Sequence, residues 1–316
     1  MSLKKKLIAV YEKIYSSDLV MNAIYHHQNR KYKLDILKSE ETIAHILKTS
    51  CSVARFGDGE FEMLLQPDRD LGFQTRCGAL SDRMRQILRN KESNLLICIP
   101  YTLNDLHGRT RHSRMFWYSW GKRNDQHHRI VELIRQCQPD GYVYGDSQIT
   151  RPYIAYATRD HGARIFPMLK QLWEGRDILF VEGEKTRLGV GNDLFDNARS
   201  IKRVLCPATN AFDRYDEILE TVKSVWNGEL ILLALGPTAT VLAADLADSG
   251  MQALDLGHVD IEYEWFHTGA KGHDQVAGKF TNESATGHEV DACDDESYLG
   301  QIISRVGCSD ISYLLK

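Results

Sequence analysis

The chain has 316 residues, 43% of them hydrophobic, which is material for one large α/β domain or two small ones. A formal net charge of −4 does not mark a general nucleic-acid binder, and no apolar run reaches the roughly 20 residues that cross a bilayer. Seven scattered cysteines without a Cys-x-x-Cys pair argue against a disulfide framework or a zinc site.

Residues 1–48 read as helical with a polar break near His26–Lys33, an N-terminal extension ahead of a single domain over 49–316. The start has no signal-peptide core or cleavage site, so a cytoplasmic protein is expected. Lys4, Lys5 and Lys6 would either draw it peripherally to anionic membrane at the inner face or simply form a solvated helix face.

Beyond the extension, short apolar runs alternate with helical patterns. Strands are expected at 51–55, 94–99, 142–145, 177–181, 201–206, 230–235 and 252–256, several of them continuously apolar, as strands buried on both faces of a parallel sheet should be. Asp213 is expected to cap a helix with apolar residues Tyr215, Ile218, Leu219, Val222 and Trp226, closed by Asn227 and Gly228. Pro237 opens the next helix at its first position and Gly250 closes it. This alternation predicts an open, Rossmann-like, mostly parallel sheet flanked by helices, followed by an irregular C-terminal tail with an acidic stretch at Asp291–Glu296.

Ligands of such sheets bind beyond the carboxyl ends of the strands, where polar groups and glycines recur here. After the first strand, Arg55 precedes a turn freed by Gly57 and Gly59, in which Asp58 and Glu60 stand two residues apart. Two carboxylates there suit a divalent cation and Arg55 suits a phosphate, although Gly-Asp-Gly also occurs in ordinary surface turns. Arg151, before Pro152, reads as a phosphate contact or an exposed surface arginine. Asn210 would bond a base or ribose, or fix its own loop. Gly236 and Thr238 place a helix amino end directly after a buried strand, either facing the cleft or forming a tight joint. In the run from His258 to Glu264, four ionisable residues recur at spacing two. If extended, they share one face, as a site or as the solvated side of an edge strand.

Taken together, these stretches resemble the GT-D-type glycosyltransferases, a bacterial family using nucleotide-sugar donors. The matching segments are Arg55–Glu60, Thr150–Tyr153, Cys206–Phe212, Leu235–Thr240 and Asp255–Trp265, in that order, over roughly residues 50–290. The resemblance implies a Rossmann-like GT-D fold and transfer of a hexose, glucose or a relative, from a UDP-sugar to a hydroxyl of a glycan acceptor in cell-surface polysaccharide or glycoprotein assembly. It places Mn²⁺ or Mg²⁺ and the donor diphosphate on Asp58 and Glu60, His258 near the diphosphate or the metal, and Glu264 as the candidate base. Two other readings use the same residues: a metal-assisted hydrolase of nucleotide sugars or phosphate esters, and a non-catalytic sugar-nucleotide-binding scaffold.

Overall fold

A computed structural model describes residues 18–66, 72, 74, 75, 77–90, 92–138, 141–284, 287 and 290–308. The N-terminal lysines lie outside these residues. Among the described residues, eight strands form one sheet in which every pairing is parallel: β1 (Ser52–Arg55), β2 (Leu95–Ile99), β3 (Gly145–Asp146), β4 (Asp177–Gly183), β5 (Ser200–Cys206), β6 (Leu230–Ala234), β7 (Ala253–Asp255) and β8 (Ile302–Arg305). Their spatial order is β3-β2-β1-β7-β6-β4-β5-β8. The halves of the sheet meet where β1 pairs with β7, in the register Val53↔Leu254.

The continuous apolar runs have the cause expected of them. Alternate residues of each strand face opposite layers, and both layers are covered. Ala54, Ile97, Val181 and Leu233 pack on one side with α3 (Asp58–Leu65), α4 (Gly78–Ile87), α5 (Arg111–Lys122), α6 (Gln126–Cys137), α8 (Tyr215–Val225) and α9 (Pro237–Asp248). Val53, Cys98, Phe180 and Leu232 pack on the other with α2 (Ser39–Thr49), α7 (Asp160–Lys170) and α10 (Val259–Thr268). Cys51, Cys98 and Cys206 are buried free thiols serving as small apolar side chains.

Several expectations are corrected. The run 258–264 is not extended: it forms the start of α10, with His258 at its N-cap. Its ionisable residues therefore divide by helical spacing, Asp260 and Glu264 on one side and Glu262 on another. Asp213 lies inside a 3-10 turn, and the N-cap of α8 is Arg214. The strand expected at 142–145 shortens to two residues, because β3 is an edge strand and Tyr144 instead bridges Ile36. Within the tail, α11 (Glu296–Gln301) and β8 add an edge to the sheet.

The described part of the N-terminal extension packs into the domain. In α1 (Asp18–Asn29), the Tyr25 hydroxyl donates to the Thr102 carbonyl at 2.7 Å and lies 3.1 Å from His127 Nδ1, which supplies the matching N–H. Burial pushes the His127 imidazole down to about 4. A histidine neutral in the fold and ordinary when unfolded contributes stability above pH 6.5, and this is lost as pH falls towards 4 at roughly 1.4 kcal/mol per unit. His127→Gln should therefore flatten the decline of Tm between pH 6.5 and 4; an unchanged slope contradicts this.

Candidate functional site

At the carboxyl edge of the sheet, where its halves meet, lies a cavity of about 400 Å³, within the usual range for small-molecule sites. Its wall is built from the exits of β1, β4, β5, β6 and β7 together with the segment around Glu283. Three helix amino ends reach it: Gly57 caps α3, Gly236 caps α9 and His258 caps α10, and all three residues line the cavity. Helix amino ends carry partial positive charge, so their convergence favours an anion. At α9 the effect is blunted, because Pro237 at the first position has no N–H to offer.

Of the residues expected at the site, Arg55, Gly57, Asp58, Glu60, Arg151, Asn210, Gly236 and His258 do line this cavity. Their local duties differ from those expected. Arg55 Nε donates to the Asp255 carbonyl and Nη2 to Asp255 Oδ1, both at 2.8 Å, while Nη1 donates to Thr150 Oγ1 at 2.8 Å and to the Ser147 carbonyl at 3.3 Å. With four of its five N–H groups thus committed, Arg55 cannot grip a phosphate with both arms; it is a strut that leaves positive charge in the wall. Asn210, in the left-handed region at φ 53°, accepts the Thr75 N–H at 2.7 Å, so it also fixes a loop.

Asp58 and Glu60 belong to the first turn of α3 rather than to a free turn. Glu60 Oε2 accepts the Gly57 N–H at 2.7 Å, the carboxylate half of a capping box, to which glycine has no side chain to reply. Burial raises the Asp58 carboxyl, with Arg151 opposing, and pushes Glu60 up to about 7. A pair of desolvated carboxylates is a place where a cation would relieve an electrostatic cost. Among the described residues no group of three or more His, Cys, Asp or Glu is set to hold a metal ion. A divalent ion here would have at most Asp58 and the uncapped oxygen of Glu60 as protein ligands from this turn, and would need phosphate and water for the rest of its coordination.

Two expected residues lie off the wall. Thr238 is fully buried within α9, and its hydroxyl has no hydrogen-bond partner among the described residues. Glu264, one helical turn beyond Asp260, accepts from Asn192 Nδ2 at 2.6 Å and Lys279 Nζ at 3.1 Å. The helical path of 258–264 leaves it outside the residues that line the cavity, one turn from Asp260, which lines it and shares Asn192 and Lys279 with it.

Sequence reasoning missed the partners of the basic residues. Glu283 Oε1 accepts from Arg151 Nη2 and stands 3.2 Å from His258 Nε2. Burial pushes His258 down to about 4, against the opposing pull of Glu283, and the approach of Nε2 to a carboxylate oxygen calls for a proton on Nε2. Lys279, 3% exposed, reaches Asp260 Oδ2 at 2.7 Å, while Asp260 Oδ1 accepts from Gly189 N and Asn192 Nδ2. Glu262 accepts the Tyr153 and Ile154 N–H groups at 2.9 and 3.0 Å and is raised to about 7 by burial, against Arg151. Asp255 stood in a motif stretch and was legible as an acid at a strand end. Glu283 and Lys279 sit in an irregular segment with no periodic pattern to mark them.

Residues 53–284 match the model of the family described as Glycosyltransferase GT-D fold. The chain is 38% identical over 276 residues to a probable glycosyl transferase Gly of Streptococcus gordonii, covering 87% of this chain and 39% of that protein. It is 37% identical over 277 residues to a glycosyltransferase GlyD of Streptococcus pneumoniae, covering 86% of this chain and 33% of that one. The chain thus spans between a third and two fifths of the curated relatives it matches. A solved structure, described as showing that the highly conserved domain of unknown function 1792 has a distinct glycosyltransferase fold, superposes with a TM-score of 0.80 at 37% identity. It covers 92% of this chain and all of that one. By sequence and by whole-chain superposition alike, the chain belongs to the GT-D fold family of glycosyltransferases.

Proposed function

We propose that the chain is a glycosyltransferase domain that binds a nucleoside-diphosphate hexose, UDP-glucose or a relative, and passes the sugar to a hydroxyl of a glycan acceptor. The observation that carries this reading is the meeting of three helix amino ends with Arg55 and Arg151 around one cavity at the carboxyl edge of a parallel sheet. The glycosyltransferase names of both streptococcal relatives support the class of reaction. Seven unpaired cysteines fit a reducing, cytoplasmic setting. No helix among the described residues is long and apolar enough to cross a membrane.

Breaking the bond between the anomeric carbon and the phosphate oxygen leaves added negative charge on the diphosphate. Arg151, the amino ends of α3 and α10 and the His258 N–H are arranged to stabilise that charge as it develops. Asp58, with Glu60 behind it, would hold Mn²⁺ or Mg²⁺, which would neutralise part of the same charge. Gly57 lets the chain approach closely: a Cβ there would stand 3.0 Å from Glu60 Oε2, against the capping carboxylate.

Three measurements test this. Across a panel of nucleotide sugars, UDP-glucose or a close relative with Mn²⁺ should raise Tm most, since ligand at a hundred times Kd adds about 2.7 kcal/mol of stability. No stabilisation by any nucleotide sugar contradicts the reading. Asp58→Asn should lower sugar transfer roughly a hundredfold while Tm without ligand stays near wild type. Glu264→Gln should keep transfer within about tenfold of wild type, because Glu264 lies off the cavity wall. A loss of a hundredfold or more, with the fold intact, would restore Glu264 as the base.

A further inference from the structure

In the structure, the most exposed cationic group of the cavity is already engaged by an anion of the chain itself. Arg151 points Nη2 at Glu283 Oε1, and His258 Nε2 approaches the same oxygen at 3.2 Å. The other carboxylate oxygen, Oε2, is buried and has no hydrogen-bond partner among the described residues. Among the described residues, the side-chain partners of Glu283 thus gather on one oxygen, which leaves the buried Oε2 without one there. Asp58 lies close enough to act on both Arg151 and Glu283, so the region already carries one carboxylate besides Glu283. A diphosphate entering beside an intact Arg151–Glu283 pair would meet the carboxylates of Asp58 and Glu283, with Arg151 Nη2 already committed to Glu283. If Glu283 turns aside, the same diphosphate meets Arg151 and the His258 N–H directly.

The segment carrying Glu283 is arranged for a side-chain exchange. Its earlier part is tied down: Lys279 Nζ reaches Asp260 and Glu264, the Phe280 N–H donates to the Lys185 carbonyl at 2.9 Å, and Arg187 Nη1 donates to the Gly278 carbonyl at 2.8 Å. Glu283 lies three residues beyond Phe280, in a turn closed by the Ser284 N–H on the Thr281 carbonyl at 3.1 Å. With the backbone held on both sides, the rotatable bonds of the side chain supply the freedom to leave and return.

We propose that Glu283 is a resident anion of the phosphate place: it holds Arg151 and His258 between turnovers, yields them to the donor's diphosphate, and on returning helps expel the product nucleotide. This rests on reading the cavity as a diphosphate site. Glu283 is a positioning residue here, because it acts through Arg151 and His258.

Calorimetric titration with inorganic pyrophosphate, in buffer without divalent cations, tests the exchange directly. Glu283→Gln removes the charge at constant shape and should bind pyrophosphate at least tenfold more tightly than wild type; Glu283→Ala should do the same if the Gln protein does not fold. Glu283→Asp keeps the charge and should stay within about threefold of wild type. Uridine, which carries no phosphate, should bind all the folded proteins equally. Pyrophosphate binding that is unchanged or weaker in the charge-removing variant, or a parallel change in uridine affinity, overturns the proposal. UDP separates the two levels of the argument. If pyrophosphate tightens while neither wild type nor variant binds UDP, the role of Glu283 stands and the nucleotide reading falls. If wild type binds UDP and neither ligand tightens, the nucleotide reading stands and the role of Glu283 falls.

Discussion

Everything at the functional edge is hung on Arg55. It is the last residue of β1, and its guanidinium spans to the end of β7 through Asp255 and to the turn after β3 through Ser147 and Thr150. The two halves of the sheet are joined by a short strand pairing, so this partly buried, hydrogen-bonded pair fixes how their carboxyl ends face each other. Removing Arg55 would leave the buried Asp255 carboxylate without its counter-charge, which is strongly destabilising. The chain has adapted to the guanidinium: Gly257 has φ +47°, and a Cβ there would lie 2.0 Å from Arg55 Nη2. Only glycine satisfies both conditions.

With that junction fixed, the cavity is a contest between two electrostatic tendencies. Three helix amino ends and two arginines favour an anionic guest, while Asp58, Glu60, Asp260 and Glu283 line the same space. The acids are not equivalent. Asp260 is bound by Lys279, Gly189 and Asn192, Glu60 caps α3, and Glu283 is held by Arg151 and His258. Asp58 keeps the least committed carboxylate of the four, and burial raises it. The site is therefore poised for a ligand that brings strong negative charge and, with it, a cation to neutralise both partners. A nucleoside diphosphate with a divalent ion has that composition.

The strands were legible because burial on both faces leaves runs such as Leu95–Ile99 and Leu230–Ala234 with no polar interruption. The segments leaving the strands were legible because glycine and proline mark joints, as at Gly236 and Pro237. The run after His258 misled because its charges alternate at spacing two, which reads as a strand. Its apolar residues Val259, Ile261, Tyr263 and Trp265 are nonetheless all buried in the helix, where packing around most of its circumference overrides the alternation. The same difference in winding moved Glu264 off the cavity wall. The sequence shows Arg55 as a cation at the cavity but not the acceptors on Asp255, Thr150 and Ser147 that fold around it. Glu283 and Lys279 gain their meaning only from distant partners, Arg151 and Asp260, and local pattern has no means of pairing residues so far apart along the chain.

The most direct test of the central claim is a crystal structure of the protein with UDP-glucose and Mn²⁺. The account predicts the diphosphate between Arg151 and the first turn of α3, within hydrogen-bond reach of His258. A diphosphate bound away from both Arg151 and Asp58, or a nucleotide seated elsewhere on the molecule, would contradict it.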